Sequence, residues 1–80
     1  MFHKVSSVKP MENFMLAIAF TNGEKRNYDV SAVFNRWDSF KILSTVKGLF
    51  EQVKVDSGGY GISWNDDLDL SCDELYKNGK

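Results

Sequence analysis

Between positions 13 and 21 bulky and small side chains alternate: Phe14, Leu16, Ile18 and Phe20 interleave with Met15, Ala17 and Ala19. Successive side chains of a strand point to opposite faces, so this period of two predicts a strand over 13–21 with one bulky apolar face and one nearly smooth one. Asn22-Gly23, a strong hairpin signal, follows, and the partner strand over 24–30 carries its apolar residues at Tyr28 and Val30. A two-residue turn would set Ile18 beside Asn27 and Leu16 beside Asp29. A three-residue loop, Thr21-Asn22-Gly23 with Gly23 left-handed, instead pairs Ile18 with Arg26 and Leu16 with Tyr28. A one-residue slip turns every side chain to the other face, so the apolar pattern selects the longer, bulged loop and lays the stem of Arg26 along the edge of the core. Upstream, 3–9 has Val5 and Val8 three apart and runs into Pro10, which has no amide to donate. It reads as a bulged edge strand. With Met11-Glu12-Asn13 as the turn, a three-stranded meander spans 3–30.

From Ser31 the period changes. Ser31 is placed to cap a short helical turn over Ala32, Val33 and Phe34, and Val46, Leu49, Phe50 and Val53 fall at helical spacing, predicting a helix from about Ser44 to Gln52. Gly48 weakens that helix by about 1 kcal/mol relative to alanine. Between the two, Arg36-Trp37-Asp38-Ser39-Phe40 reads as irregular, aromatic chain lying across the sheet. Val53-Lys54-Val55 and Tyr60–Trp64 form a second hairpin around Asp56–Gly59, with Val55 opposite Tyr60 and Val53 opposite Ile62. Ser71-Cys72-Asp73-Glu74 has the form of a capping box, in which Glu74 reaches back to the Ser71 amide. Leu75 and Tyr76 would anchor the helix it opens and Gly79 would end it. The expected fold is one α+β domain over 1–80: an antiparallel sheet from the meander plus the second hairpin, with short helices between them and at the C-terminus.

Composition narrows the classes of function. Eighty residues with 42% hydrophobic and 14% aromatic content describe a small folded domain, and the net charge of −1 exerts no overall pull toward nucleic acid or membrane. The longest apolar stretch, 14–20, is far too short to span a bilayer, and the N-terminus lacks the apolar run of a signal peptide, so a cytoplasmic location is expected. One cysteine, Cys72, allows no intrachain disulfide and no paired-thiol motif. Charge is unevenly placed. Residues 1–55 hold eight Lys or Arg against five Asp or Glu, and residues 56–80 hold two against six, so a basic body precedes an acidic end.

The chemistry-bearing residues do not assemble into a known catalytic pattern. Asn65, Asp67 and Asp69 alternate as in a calcium loop, yet Leu70 stands where that loop needs glycine and Tyr76 where it needs glutamate. No metal or other cofactor is expected. His3 is the single histidine, and no serine lies in a nucleophile elbow. Asp73 and Glu74 beside Cys72 oppose a thiolate, so that thiol reads as a half-buried small apolar group. Gly58, Gly59 and Gly61 lack the following Lys-Ser or Lys-Thr of a phosphate loop and serve the turn, with Gly61 admitting a close neighbour into its strand. An enzyme is not expected.

Phe20–Val30, Leu49–Asp56, Gly59–Trp64 and Asp67–Tyr76 are four segments that, in this order, resemble the small bacterial domain-of-unknown-function family 2442. Phe20-Thr21-Asn22-Gly23-Glu24-Lys25-Arg26-Asn27-Tyr28-Asp29-Val30 resembles its F-x-(D/N)-G-E-x-R-x-x-D-(V/L) core. Leu49–Asp56 and Gly59–Trp64 are similar to its L-F-x-x-V-x-(V/L)-D and G-x-x-(I/V)-x-W segments, and Asp67–Tyr76 to its D-L-(D/S)-x-(D/E)-x-L-Y close. Asp66-Asp67 departs from the pattern, since many members have a small residue before the D-L step. The resemblance implies a small α+β domain with no defining activity, often encoded beside a second small protein in an arrangement like that of a toxin and antitoxin. It carries over no catalytic residue.

Two roles follow. The first is an antitoxin-like protein-interaction module in which Trp37, Trp64 and the acidic residues Asp66, Asp67, Asp69 and Asp73 form an exposed face that holds a basic partner, either a protein encoded nearby or a second copy. The alternative is a nucleic-acid binder that uses Lys25, Arg26, Arg36 and Lys41, interleaved with Tyr28, Trp37 and Phe40.

Overall fold

The computed structural model describes residues 4–80; the part of the edge-strand expectation that rests on His3 lies outside them. The fold is α+β, built from two three-stranded antiparallel sheets. The first contains β1 (Val5–Pro10), β2 (Met15–Phe20) and β3 (Lys25–Asp29) in that order. Ile18 pairs with Arg26 and Leu16 with Tyr28, and Gly23 has φ +92°, so the three-residue bulged loop is present. β1 is the bulged edge strand, its register shifting between Val5 and Ser7. Leu16, Ile18 and Phe20 are buried while Met15, Ala17 and Ala19 remain half-exposed on the open face.

The strand begins two residues later than its alternation suggests. Asn13 and Phe14 take left-handed backbone, φ 61° and 60°, within a 3₁₀ turn at Glu12–Phe14. This places the Phe14 ring edge-on against Phe34 and Phe50, at centroid distances of 5.3 and 5.2 Å. Such backbone is costly for a residue with a Cβ, and an aromatic contact at both edges holds it.

The middle of the chain is less helical than its spacing suggests. The turn after β3 covers Val30–Val33 and is capped by Asp29, whose carboxylate accepts the Ser31 amide at 3.0 Å; Ser31 is not the cap. A 3₁₀ turn over Asp38–Lys41 leads into α1 (Ile42–Thr45), a single turn. The helix expected over 44–52 is absent: Val46 is extended, Gly48 has φ +85°, and a separate 3₁₀ turn covers Phe50–Gln52. The apolar spacing there is that of two short pieces, which send Leu43 and Phe50 inward and leave Val46 in solvent.

The second sheet holds β4 (Lys54–Val55), β5 (Gly61–Asn65) and β6 (Leu68–Ser71). Val55 lies opposite Ile62 and not Tyr60. The slip is two residues, which preserves the faces. It lengthens the loop, which the Asp56 amide closes onto the Gly61 carbonyl at 2.9 Å, with Ser63 Oγ donating to Asp56 at 2.6 Å. β6 is a strand the sequence reading passed over, although Leu68 and Leu70 alternate inward against Asp69 and Ser71. Asn65 makes its turn, its side-chain oxygen accepting the amides of Asp67 and Leu68 at 2.8 and 3.0 Å. Helix α2 (Cys72–Asn78) follows and packs on β3, β5 and β6. The core joins both sheets, with Leu16, Ile18, Ile62 and Leu75 fully enclosed.

Candidate functional site

Half of the capping box is present. Ser71 Oγ accepts the Glu74 amide at 3.2 Å, but the Glu74 carboxylate points elsewhere. One of its oxygens accepts from the Tyr28 hydroxyl and the Asn78 amide, both at 2.8 Å, and from Arg36 at 3.5 Å. The carboxylate thus ties α2 to β3. Gly79 ends the helix with ordinary negative φ; a Cβ there would stand 2.5 Å from the Leu75 carbonyl.

Burial pushes the Tyr28 phenol well above its ordinary value near 10, and the hydrogen bond to Glu74 pushes it further in the same direction. Folding therefore favours the protonated phenol. The contribution is complete below pH 10 and is lost as pH climbs toward the raised value. The expected result is that the native protein loses stability above pH 10, with the Tyr28 phenol still protonated, by absorbance at 295 nm, after pH has passed its ordinary value near 10. Tyr28→Phe should remove that slope; an unchanged slope in the variant would place the titrating group elsewhere.

The two tryptophans part company. Trp37 is 40% exposed, with its ring tilted against Phe40 at 5.7 Å and the Arg36 guanidinium 4.5 Å over it. Trp64 is 4% exposed and belongs to the core, not to an exposed face. It sits at the register shift of β5, stacks on Phe50 at 6.3 Å, and donates its indole N–H to the Phe50 carbonyl at 3.0 Å. With its polar edge satisfied internally and its ring enclosed, it offers a partner nothing. Phe40 lies between the two indoles, 6.0 Å from Trp64.

Asp66, Asp67, Asp69 and Asp73 are all exposed. The β5–β6 turn brings part of this set against the α1 segment, forming a groove whose lining includes Asp38, Ser39, Ile42, Asp67 and Leu68. Ile42 is 42% exposed there, while its neighbour Leu43 is buried. Asp38 pairs with Lys41 at 3.2 Å. Sequence reasoning missed Asp38 and Ile42 as members of this face, since Ile42 and Leu43 are equally apolar neighbours and the one-turn helix that sends only Leu43 inward is not signalled by their spacing.

The cations are largely engaged by this chain. Arg26 runs its stem along the core, as expected, with its guanidinium 4.6 Å over Tyr76 and 3.5 Å from Glu24. Arg36 reaches Glu74 and Lys41 reaches Asp38, while Lys25 is exposed on β3. Cys72 is buried. Among the described residues, no three of His, Cys, Asp and Glu converge in a way that could hold a metal ion, and no helix is long and apolar enough to cross a membrane.

A family model described as "Protein of unknown function (DUF2442)" matches residues 5–80. No curated protein and no solved structure matches the chain.

Proposed function

The chain belongs to the DUF2442 family, and from that premise we propose that it is a non-enzymatic, antitoxin-like protein-interaction module whose acidic and apolar face holds a basic protein partner in the cytoplasm. The observation that carries this reading is the groove between α1 and the β5–β6 turn, where exposed Ile42 stands beside Asp67 and follows exposed Trp37 in the chain. An apolar anchor flanked by carboxylates suits a partner surface that is basic at its rim and apolar at its centre. Asp66, Asp69 and Asp73 are exposed carboxylates of the same acidic end of the chain, outside the lining of the groove. The nucleic-acid alternative has less support, because Arg26, Arg36 and Lys41 each already face a carboxylate of this chain.

Coexpression with the product of the adjacent gene, followed by size-exclusion chromatography, tests the reading. The two proteins should co-elute at low salt. Trp37→Ala and Asp66→Lys/Asp67→Lys should each weaken the complex at least about tenfold, with the charge variant abolishing most of its salt dependence. Separate elution of the wild-type pair at low salt, or variants that bind as well as the wild type, would overturn it.

A further inference from the structure

The cleft at the β1–β2 connection points to a second binding site, distinct from the acidic face and independent of its role. It has a volume of about 440 Å³ and opens where that connection meets the turn at Phe50–Gln52. Its apolar lining comes from Met11, Phe14 and Phe50, and its charged lining is Glu12 and Glu51; no Lys, Arg or His lines it. Met11 is 43% exposed, a large flexible apolar side chain left in water beside a concave surface. The wall is preset. The Met11 amide donates to the Met15 carbonyl at 2.8 Å, the Met15 amide donates to the Glu12 carbonyl, and the left-handed pair Asn13–Phe14 is locked by the two ring contacts of Phe14. Backbone held in such conformations by its surroundings is where ligand clamps are commonly found, and the size is that of a small-ligand site.

We propose that this cleft binds a small organic cation, a primary ammonium carried on an apolar stem. The stem lies against Met11, Phe14 and Phe50, and the ammonium meets the carboxylates of Glu12 and Glu51. An anion is repelled by both glutamates. A neutral molecule of the same shape gains the apolar contact but leaves the two charges without a counterion.

The test is a ¹⁵N NMR titration of the full chain with phenethylammonium, to about 20 mM because a ligand this small binds a shallow site weakly. Shifts should be confined to the amides of 11–14 and 50–51. Phenethyl alcohol should bind at least about tenfold more weakly, and phenylacetate should produce no shifts there. Glu12→Gln/Glu51→Gln alters two exposed side chains and should keep the native spectrum while weakening the ammonium about tenfold. A peptide lysine, tested as N-acetyl-lysine methylamide, should bind no better than phenethylammonium; tighter binding would overturn the small-amine assignment in favour of a protein side chain. Equal binding of the alcohol, undiminished binding to the double variant, or no shift at the cleft would each overturn the site.

Discussion

Trp64→Ala is expected to cost about 3–5 kcal/mol, the range for truncating an enclosed large aromatic side chain. A domain of eighty residues has a total stability of roughly 4–12 kcal/mol at the usual value per residue. The loss is a large share of that total, so the variant should unfold at a markedly lower urea concentration than the wild type. Two features set the size of the loss. The ring stacks on Phe50 and meets Phe40 edge-on, so its removal opens a void that three elements border. Its N–H also satisfies the Phe50 carbonyl, and leaving that acceptor unpaired costs a further share. Trp64→Phe separates the two: it keeps much of the ring and loses the hydrogen bond, for an intermediate cost of about 1–3 kcal/mol. Trp37→Ala, at a ring that is 40% exposed, should cost under about 1 kcal/mol. Urea denaturation of the three variants checks the order. Trp37→Ala proving the more damaging tryptophan substitution would contradict the placement of Trp64 in the core.

Gly61→Ala should be nearly as severe, for a different reason. A Cβ at Gly61 would stand 2.4 Å from the Leu70 carbonyl oxygen and 3.3 Å from the Ser71 Cα. Those are backbone atoms of the partner strand, so relief requires β5 and β6 to separate where Gly61 pairs with Ser71 and Ile62 with Leu70. The amide of Cys72, which opens α2, also bonds the Tyr60 carbonyl at 2.9 Å, so the helix would move with the strand. Overpacking of this kind costs up to about 3 kcal/mol, which lowers the melting temperature of a chain this size by roughly 12–24 °C. Gly48→Ala is the control. Nothing lies within 4 Å of a Cβ there, and only the left-handed backbone, φ +85°, is penalised, at about 1–2 kcal/mol. Thermal melts in which the Gly61 variant is the milder of the two would refute the close approach of β6.

The parts of the fold that were legible in the sequence are those where one face must be buried and a slip would expose it. Leu16, Ile18 and Phe20 leave a single workable register with Tyr28, and Gly23 supplies the only loop that produces it. The same logic applied to Leu68 and Leu70 would have revealed β6, but the acids among them read as an exposed, partner-binding face. Where the pattern was misread, the cause is tertiary. The spacing of Val46, Leu49 and Phe50 fits a helix in isolation, yet Gly48 breaks it and the core takes Leu43 and Phe50 from separate turns. Ser71 was legible as a cap because the capping motif is local; that the Glu74 carboxylate serves Tyr28 and not the Ser71 amide could not be read from spacing, since the partners lie 46 residues apart. The acidic residues of the candidate face were legible as exposed. Ile42 was not, because no sequence rule chooses between neighbouring apolar residues in a single helical turn.

That 46-residue reach from Tyr28 to Glu74 also bears on how the chain is made. On the ribosome the meander emerges before the second sheet and α2, with Leu16, Ile18 and Phe20 facing water until those segments arrive. Leu75, fully enclosed in the finished core, is made after all six strands. Contacts this distant close slowly and leave apolar strands uncovered in the interval. The half-made chain is therefore the form most exposed to aggregation, and the smooth outer face of β2, with alanine where a β-branched residue would adhere to neighbouring strands, keeps one side of the growing sheet from adding to that hazard.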